Sequence, residues 1–248
     1  MQAPDRVVSS SYVGNELELF QHATHWKSYY ASTIRPYVVG DVLEVGAGFG
    51  GTSRFLCDGR QRSWTCLEPD PALLRQLDER LAAHPLPCPV RGVCGTVDAL
   101  AADERFDAIL YIDVLEHIED DAAELERSAA RLRPGGHIIV LAPAHQSLYS
   151  EFDKALGHFR RYSKASLLAA APALLRPVEA FYLDAAGMTA SLANRLLLRA
   201  SMPTSSQIMF WDRVLVPVSR VIDPVLARSV GKSVVAIWTL APRPTKTV

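Results

Sequence analysis

An acid and a run of glycines stand close together early in the chain, in a pattern that can bind a cofactor. Residues 42–51 read VLEVGAGFGG, so a short apolar strand carries Glu44 near its end and continues into a glycine turn. Residues without side chains let the backbone pass close to a ligand, and the N–H groups that open the next helix, near 52–56, point at it. The segment therefore predicts a nucleotide-cofactor site, with a ligand-free strand-to-helix turn as the alternative.

The spacing of the glycines leaves two cofactors open, and Glu44 favours one of them. Gly46, Gly48 and Gly51 fit the G-x-G-x-x-G fingerprint of dinucleotide sites. Gly46, Gly48 and Gly50 fit the looser G-x-G-x-G turn of S-adenosylmethionine sites. A pyrophosphate is anionic and would be repelled by Glu44, whereas S-adenosylmethionine carries an ammonium and a sulfonium group that a carboxylate attracts.

A second strand, predicted over 64–68, also ends in an acid. Glu68 lies about 20 residues after the glycine turn, where an acid can accept both ribose hydroxyls of an adenosine group. Asp70 is better suited to the N-cap of the helix that follows, because Pro71 and a helical apolar pattern come next. A third strand near 90–94 leads into a polar turn at which an adenine ring could lie.

Two further segments complete a recognisable series. FDAILYIDVLEHIED (106–120) predicts a fourth strand with Asp113, Glu116 and His117 beyond its end. LRPGGHIIVL (132–141) predicts a helix stop, a Pro-Gly-Gly turn and a fifth strand. LEVGAGFGG, CLEPD, FDAILYIDVLEHIED and LRPGGHIIVLAP together resemble, over residues 40–145, the successive motifs of the class I methyltransferases that use S-adenosylmethionine.

That resemblance implies a set of cofactor contacts. The methionine moiety would lie against Glu44, the three glycines of the G-x-G-x-G turn, Asp113 and His117, and the ribose against Glu68. Thr96 and Val97 would flank the adenine, although many members carry an acid where this chain has Thr96, so that backbone groups or Asp98 would recognise the ring. A helix-packing role is the alternative for His117. The cofactor-binding residues are predicted to be Glu44, Gly46, Gly48, Gly50, Glu68, Thr96, Val97, Asp113 and His117.

The segment after the fifth strand is rich in groups that can do chemistry. In open α/β sheets ligands bind outside the carboxyl ends of the strands, where this loop begins, so we expect the methyl acceptor here. His158, oriented by Asp153, is the candidate general base, since imidazole titrates near neutrality. The stretch resembles the D-x-x-x-G-H-x-R-R-Y segment of a bacterial subgroup linked to sugar, cell-envelope or secondary-metabolite pathways. The predicted acceptor contacts are His145, Tyr149, Arg161 and Tyr162.

These elements require an α/β fold. The family resemblance implies a Rossmann-like, doubly wound, seven-stranded and mainly parallel sheet, with the last strand antiparallel. The sixth strand is predicted at 178–183 and the seventh at 233–240, with a helical cap insertion between them. We expect one methyltransferase domain over 1–248, comprising an N-terminal helical segment (12–39), the cofactor-binding core (40–145) and the acceptor side (146–248).

The insertion carries more apolar residues than one helix face can bury. A helical apolar pattern, with Pro217 and Pro224 as interruptions, predicts residues that pack on the sheet: Phe210, Val214, Leu215, Val218, Val221, Ile222, Val225 and Leu226. The surplus would line an acceptor pocket, form a homodimer interface or touch a lipid-linked substrate: Leu196, Leu197, Leu198, Met202, Met209 and Trp211.

The N-terminal helical segment, 16–39, is crowded with aromatic and imidazole groups. Trp26 and Tyr30 at i, i+4 are expected to pack on the sheet, with closure over the cofactor sulfonium as the alternative. His22 and His25 share a helix face, but no third ligand is evident, so no metal site is predicted.

Composition restricts the remaining possibilities. The 248 residues carry a formal net charge of −1 with mixed signs along the chain, which argues against a nucleic-acid surface. Four cysteines without a C-x-x-C motif, no signal-peptide pattern and no long apolar run favour a cytoplasmic protein without an integral membrane segment.

The expected function is methyl transfer from S-adenosylmethionine to a small-molecule acceptor. We expect the acceptor group to be a hydroxyl of a sugar, lipid-linked or secondary-metabolite substrate, with N- or C-methylation of a natural product as the alternative. An NAD(P)-dependent oxidoreductase and a cofactor-binding protein without catalysis are the alternatives from other classes. Glu44 argues against the first, and the polar cluster around Asp153 and His158 argues against the second.

Overall fold

The structure is a computed structural model that describes residues 20–193 and 204–241. Its centre is a seven-stranded sheet in the order β3-β2-β1-β4-β5-β7-β6. The neighbouring pairs from β3 to β5 are parallel, and β7 runs antiparallel between β5 and β6. The predicted doubly wound α/β fold with an antiparallel last strand is therefore confirmed.

The elements alternate along the chain. The strands are β1 (Gly40–Val45), β2 (Gln61–Glu68), β3 (Val90–Cys94), β4 (Phe106–Ile112), β5 (Leu132–Pro143), β6 (Leu175–Leu183) and β7 (Ser233–Leu240). The α-helices are α1 (Thr24–Ile34), α2 (Ser53–Leu56), α3 (Pro71–Ala83), α4 (Asp121–Ala129), α5 (Glu151–Ala155), α6 (Lys164–Ala170), α7 (Ala185–Ala193), α8 (Ser205–Phe210) and α9 (Val216–Val225). A π-helical stretch, Trp211–Leu215, joins α8 to α9.

Two apolar layers cover the sheet, because alternate residues of each strand point to opposite faces. In β1, Val42 belongs to the layer formed with α1, α2, α3 and the insertion. Its neighbours Leu43 and Val45 belong to the opposite layer, which includes residues of α4 and α6. Glu44 shares the face of Val42, and this alternation decides where its carboxyl group lies.

Two predicted boundaries differ from the structure. Strand β6 begins at Leu175 rather than at Val178, and a register irregularity next to β7 lies between Pro177 and Glu179. Strand β5 begins at Leu132, so Pro134 to Gly136 is not a turn ahead of the strand. Leu132 pairs with Phe106 of β4, and the next pair is His137 with Ala108. Five residues of β5 therefore lie opposite two of β4, and the Pro-Gly-Gly segment forms a bulge within the strand.

The first and last residues of the insertion between β6 and β7 lie next to each other at the carboxyl edge of the sheet. The backbone N–H of Lys232 donates to the carbonyl of Asp184 at 3.1 Å, so the two ends of residues 184–232 are hydrogen-bonded to each other. The buried Asp184 carboxyl also accepts from Trp211 Nε1 at 2.7 Å and from Ser219 Oγ at 2.7 Å. These bonds fix the insertion to the carboxyl edge of the sheet.

The helical part of the insertion, 205–225, buries a different face from the predicted one. Pro217 and Pro224 lie within α9 and do not interrupt it. Its buried side chains include Asp212, Ser219 and Asp223. The predicted core positions that are instead exposed are Phe210, Val214, Val218, Val221, Val225 and Leu226.

Polar partners explain this difference. Asp212 accepts from the backbone N–H of Trp26 in α1 at 2.9 Å, and Asp223 accepts from the hydroxyl of Tyr29 at 2.8 Å. The helix docks through these hydrogen bonds, which an apolar periodicity does not reveal. The predicted surplus positions Leu196, Leu197, Leu198 and Met202, and the start of the predicted N-terminal helical segment, lie outside the described residues.

Candidate functional site

A large cavity opens at the carboxyl ends of β1, β2 and β4. Its volume is about 1340 Å³, which exceeds the roughly 300–1000 Å³ of ordinary ligand pockets. One part of its wall is formed by the glycine turn and Glu68, another by the loop after β5, and a third by α1 and the insertion. The cavity therefore joins the predicted cofactor side to the predicted acceptor side.

The glycine turn forms the wall of this cavity closest to β1. Gly46, Gly48 and Gly50 all have positive φ, at 65°, 55° and 80°. A Cβ added at Gly46 would come within 2.6 Å of Val114 Cγ2, so a side chain there would collide with the segment after β4. Gly46 and Gly48 line the cavity, whereas Gly50 shapes the turn without being part of the lining.

Glu68 stands where an adenosine ribose is expected. Its carboxylate accepts from the backbone N–H of Gly48 at 2.8 Å and from that of Asp70 at 2.9 Å, and it lines the cavity. Burial raises the pKa of Glu68, although these two backbone hydrogen bonds oppose the shift. Each carboxylate oxygen retains a second lone pair that a hydroxyl could use. Asp70 caps α3 as predicted, by accepting from Ala72 and Leu73.

Glu44 lies behind the turn rather than in the cavity wall. Its Oε2 accepts from Ser53 Oγ at 2.5 Å and from Trp64 Nε1 at 2.8 Å. Burial, partly offset by these two bonds, raises its pKa to about 7. Because Glu44 shares the face of Val42, α2 and β2 cover it. This position corrects the expectation that its carboxylate faces an ammonium group directly.

The residues predicted to flank an adenine ring lie outside the cavity lining. Val97 is buried in the apolar layer that includes α4, and the neighbouring Thr96 is exposed. The short 3₁₀ turn Val97–Ala99 directs the Val97 side chain into the core. Neither side chain is therefore placed to contact a ligand in the cavity.

Asp113 is the acid that the cavity contains at the end of β4. Its backbone is in the left-handed region, with φ of 54°, and its N–H donates to the carbonyl of Leu141 at 2.8 Å. The side chain is exposed towards the cavity, where surrounding protein raises its pKa to about 7. The positive charges of Lys232 and Lys27 oppose that shift but do not cancel it.

The acceptor side contains a complete network around Asp153. His158 Nδ1 lies 3.0 Å from Asp153 Oδ1, and Arg161 contacts both carboxylate oxygens at 2.7 and 3.0 Å. Burial alone would raise the pKa of Asp153, but the hydrogen bonds from His158 and Arg161 outweigh it and hold that pKa below its usual range. An ionised carboxylate only accepts, so Nδ1 of His158 carries a proton and Nε2 is the nitrogen that can accept one.

His117 stands beside this pair. Its ring meets that of His158 edge to face, with 4.6 Å between centroids, and both line the cavity. Burial, followed by the nearby charge of His158, lowers the pKa of His117 to about 4, so it is neutral at pH 7. Among the described residues, Glu116, His117 and His158 are the group of metal-ligand types brought together, with ligand atoms within 4.8 Å of one another.

The four predicted acceptor contacts divide into two pairs. Tyr149 and Arg161 line the cavity, and the hydroxyl of Tyr149 donates to the carbonyl of His158 at 2.5 Å. His145 and Tyr162 do not line it. Tyr182 stacks on His145, whose Nε2 lies 3.0 Å from the Gly231 carbonyl oxygen.

Tyr162 also has a structural position. It is buried, and its hydroxyl donates to Asp121 Oδ2 at 2.7 Å. The assignment of His145 and Tyr162 to the acceptor is therefore corrected: both hold the loop after β5 against neighbouring elements.

Two lysines in the lining were missed by the sequence analysis. Lys27 follows Trp26 in α1, and Lys232 directly precedes β7. Burial lowers the pKa of both amines. Lys232 could have been found, because an antiparallel last strand begins at the carboxyl edge, whereas Lys27 has no such signal.

The aromatic groups of α1 pack in the core, as expected, and their contact with a cofactor stays a prediction. Trp26 and Tyr30 are buried, pack edge to face at 5.5 Å and also line the cavity. His25 Nδ1 lies 3.0 Å from Asp212 Oδ2, and His22 is exposed. The absence of a metal remains a prediction.

Comparisons with known proteins agree with this geometry. Residues 43–138 match the family described as methyltransferase domain. A ubiquinone biosynthesis O-methyltransferase of Rhodopseudomonas palustris (strain HaA2) is 31% identical over 100 residues, which cover 40% of this chain and 38% of that protein. The chain thus spans about two fifths of the length of the curated relatives it matches.

Solved structures share the whole fold at low sequence identity. N-methyltransferase NodS of Bradyrhizobium japonicum WM9, in complex with S-adenosyl-L-homocysteine, has a TM-score of 0.55 and 14% identity, covering 89% of this chain and 87% of that one. The [4+2]-cyclase SpnF has a TM-score of 0.62 and 14% identity, covering 93% and 96%. S-adenosylmethionine is the cofactor that the family match and the NodS complex indicate. Over residues 43–138 the chain therefore matches a methyltransferase domain, and its seven-stranded sheet gives it the fold of these solved structures.

Proposed function

We propose that this chain transfers the methyl group of S-adenosylmethionine to a hydroxyl group of a small-molecule acceptor. The observation that supports it most is the Asp153–His158 pair, 3.0 Å apart in the wall of the cavity that also contains the glycine turn. A hydroxyl is a poor nucleophile until a base removes its proton, whereas an amine needs less assistance. A buried, carboxylate-oriented imidazole therefore favours oxygen over nitrogen as the acceptor atom.

We assign the cofactor to the part of the cavity beside β1, β2 and β4. The carboxylate of Glu68 would accept the ribose hydroxyls, and the backbone of Gly46 and Gly48 would approach the methionine part closely. Asp113 would take the ammonium group, because a cavity-facing carboxyl with a raised pKa gains most from a cation. His117 lies beside Asp113 in the lining and would complete this part of the wall.

The transfer would occur in one displacement. Bound S-adenosylmethionine would supply an electrophilic methyl group, which the acceptor oxygen would take up as the sulfur leaves with its electron pair as the thioether of S-adenosylhomocysteine. The hydroxyl proton moves to Nε2 of His158, and the ionised Asp153 stabilises the imidazolium that results. The walls of the cavity contribute mainly by positioning the two reactants and excluding water.

The class of acceptor is proposed from the cavity and from one relative. The name of the Rhodopseudomonas palustris relative states an O-methyltransferase of ubiquinone biosynthesis, which supports a hydroxyl acceptor. Phe20, Trp26 and Trp211 give the cavity an apolar part that could hold a lipid-linked or secondary-metabolite substrate. We propose a small-molecule acceptor rather than a nucleic acid, since the net charge is −1.

Cofactor binding is tested first. Calorimetry on the full chain should show binding of S-adenosylmethionine and S-adenosylhomocysteine, with no binding of NAD or NADP. Mass spectrometry of small molecules that copurify, followed by a panel of phenol, sugar and polyprenyl alcohol acceptors, then identifies the methylated product. Cofactor binding without turnover on any acceptor class would favour the non-catalytic alternative.

The role of His158 is tested next. His158→Ala should lower the turnover number about a hundredfold or more, with S-adenosylhomocysteine affinity nearly unchanged. His22→Ala, at an exposed histidine outside the cavity, is the matched control. Full turnover in His158→Ala would remove His158 as the base, and a change confined to acceptor KM would leave it a positioning role.

A further inference from the structure

The helix of the insertion exposes an apolar stripe along most of its length. Phe210, Val214, Val218, Val221 and Val225 are spaced by three or four residues, so they follow one face. Their exposed fractions are 57%, 45%, 46%, 69% and 82%. A soluble surface rarely places its apolar residues in such a row, and rows of this kind mark interaction sites.

The stripe is not a by-product of core packing. The face that docks on the protein carries Asp212, Ser219 and Asp223, which are buried and hydrogen-bonded. Ile208, Trp211 and Val216 are buried on this inner side as well, so the helix docks through polar and apolar contacts together and the stripe is a second apolar face, directed outward. An ordinary surface helix of a globular protein carries polar and charged residues on its outer face, whereas this helix carries a row of apolar residues there.

The charges of the helix are divided in the same way. Its two acids, Asp212 and Asp223, are both buried, whereas its two arginines, Arg213 and Arg220, are exposed. The outer surface of the helix is therefore apolar and cationic without an accompanying acid. That combination complements a layer of anionic lipid headgroups over hydrocarbon, which is how interfacial helices bind.

A second copy of this chain fits the same surface less well. Pairing the stripe with itself would bring the exposed Arg213 and Arg220 of two helices close together, with no acid of the helix available to compensate. The stripe is also one side chain wide, whereas a stable dimer buries about 800 Å² on each partner. A bilayer surface imposes neither restriction.

The stripe is continuous with the cavity. Phe210 belongs to both, since its side chain is 57% exposed and also lines the cavity. Three further side chains of the same helix line the cavity and do not belong to the stripe: Ile208, Trp211 and Leu215. A molecule that leaves the hydrocarbon layer beside Phe210 would thus remain in contact with apolar side chains until it reached the cavity.

We propose that helix 205–225 docks on the surface of a membrane that contains anionic lipids, with the valine stripe in the interface and the two arginines at the headgroups. The helix would lie in the membrane plane. No helix in the described part of the chain is long and apolar enough to cross a bilayer. The proposal does not depend on methyl transfer, because it concerns a surface that can be tested without cofactor or acceptor.

Vesicle cosedimentation of the full chain tests it. We expect binding to phosphatidylcholine vesicles that contain phosphatidylglycerol, and weaker binding to phosphatidylcholine alone. Val221→Asp/Val225→Asp should reduce the partition coefficient at least tenfold on both vesicles. Arg213→Gln/Arg220→Gln should reduce it on the anionic vesicles and not on the neutral ones.

A matched pair of valines provides the control. Val218 and Val178 are exposed to similar extents, 46% and 42%, but Val178 lies on the edge strand β6. Val218→Asp should weaken vesicle binding, and Val178→Asp should leave it unchanged. Circular dichroism and S-adenosylhomocysteine affinity, equal to wild type, show that each variant is folded.

Three outcomes would overturn the proposal. The first is a wild-type chain that remains in the supernatant with anionic vesicles. The second is an equal loss of binding in Val218→Asp and Val178→Asp. The third is a wild-type dimer in light scattering that Val221→Asp/Val225→Asp dissociates, which would make a second copy the occupant of the stripe. None of these results bears on whether the chain binds its cofactor.

Discussion

The two sides of the cavity treat their carboxyl groups in opposite ways. On the cofactor side the pKa values of Glu44 and Asp113 rise to about 7 and that of Glu68 also rises, in each case chiefly because the surrounding protein desolvates the carboxylate. On the acceptor side the pKa of Asp153 falls, because His158 and Arg161 outweigh the burial. The acceptor side already contains its own counter-charges.

Positive charges of the protein do not fully balance the carboxyl groups of the cofactor side, so a bound cation would stabilise them. Lys27 and Lys232 are near Asp113, but burial lowers the pKa of each amine as well, and the pKa of the Asp113 carboxyl stays at about 7. A cofactor with an ammonium group and a sulfonium would complete the charge balance. The acceptor side of the cavity is thus charge-balanced without a ligand, whereas the cofactor side becomes charge-balanced when a cationic ligand binds.

The largest expected effect on stability comes from removing the buried carboxylate at the centre of the acceptor-side network. Asp153→Ala leaves Arg161 and His158 without their carboxylate in a buried position, and we expect a loss of about 3–5 kcal/mol in the free energy of unfolding. Urea denaturation measures it. Glu151→Ala is the control two residues away, since its pair with Lys154 is exposed to solvent and should contribute far less to stability. Equal losses would mean that the network around Asp153 is not a stability element.

A smaller effect is expected on the ligand-dependent side. Glu68→Ala should weaken S-adenosylhomocysteine binding by about 1.5–3 kcal/mol, or one to two powers of ten, through lost charge-assisted hydrogen bonds. Isothermal titration calorimetry measures the change. The free energy of unfolding without ligand should fall far less than in Asp153→Ala. Unchanged affinity would reject Glu68 as the ribose residue.

The pH dependence of binding sharpens the comparison further. A cation binds a deprotonated carboxylate best, so S-adenosylhomocysteine should lower the pKa of Asp113 from about 7 and release a proton. Its affinity should therefore rise by up to about tenfold per pH unit below pH 7 and level off above it. Calorimetry in buffers of different ionisation enthalpy measures the proton release.

Two controls isolate the cause of that pH dependence. Methylthioadenosine lacks the ammonium group and should bind with little dependence on pH. Asp113→Asn should remove the dependence for S-adenosylhomocysteine, and Glu44→Gln should retain most of it because Glu44 lies behind the turn. The same slope for both ligands would show that a group remote from the ammonium titrates.

The smallest effect is expected at Asp70, whose carboxylate caps α3 and has no predicted contact with the cofactor. Asp70→Ala should cost about 1 kcal/mol in the free energy of unfolding, because α3 loses the side chain that accepts from Ala72 and Leu73. Asp70→Asn should keep the cap and the stability. Calorimetric affinity for S-adenosylhomocysteine should stay within about twofold in both, and a tenfold loss would move Asp70 into the cofactor site.

The features that the sequence predicted best are those that depend on a few neighbouring residues. The strand ends, the glycine turn, the Asp70 cap and β7 at Ser233–Leu240 follow from local patterns and appear as expected. The pairing of Asp153 with His158 was also within reach, because the two lie five residues apart across the end of one short helix. These predictions needed no knowledge of distant contacts.

Predictions failed where a distant segment decides the environment. Glu44 is covered by Ser53 and Trp64, and neither contact is encoded by the strand that carries it. The valines of the insertion face outward because Asp212 and Asp223 bind groups of α1 nearly two hundred positions away in the chain. A periodicity shows that a helix has two faces, but the partner determines which face is buried.

The hydrogen bond between Lys232 and Asp184 has a consequence for how this architecture can change. Because both ends of residues 184–232 meet at one point of the sheet, their length and sequence can vary without moving β6 or β7. The entropic cost of closing such a segment grows only slowly with its length. A different segment grafted between Asp184 and Lys232 is therefore expected to change the part of the cavity wall that the insertion forms and to leave the glycine turn and Glu68 in place.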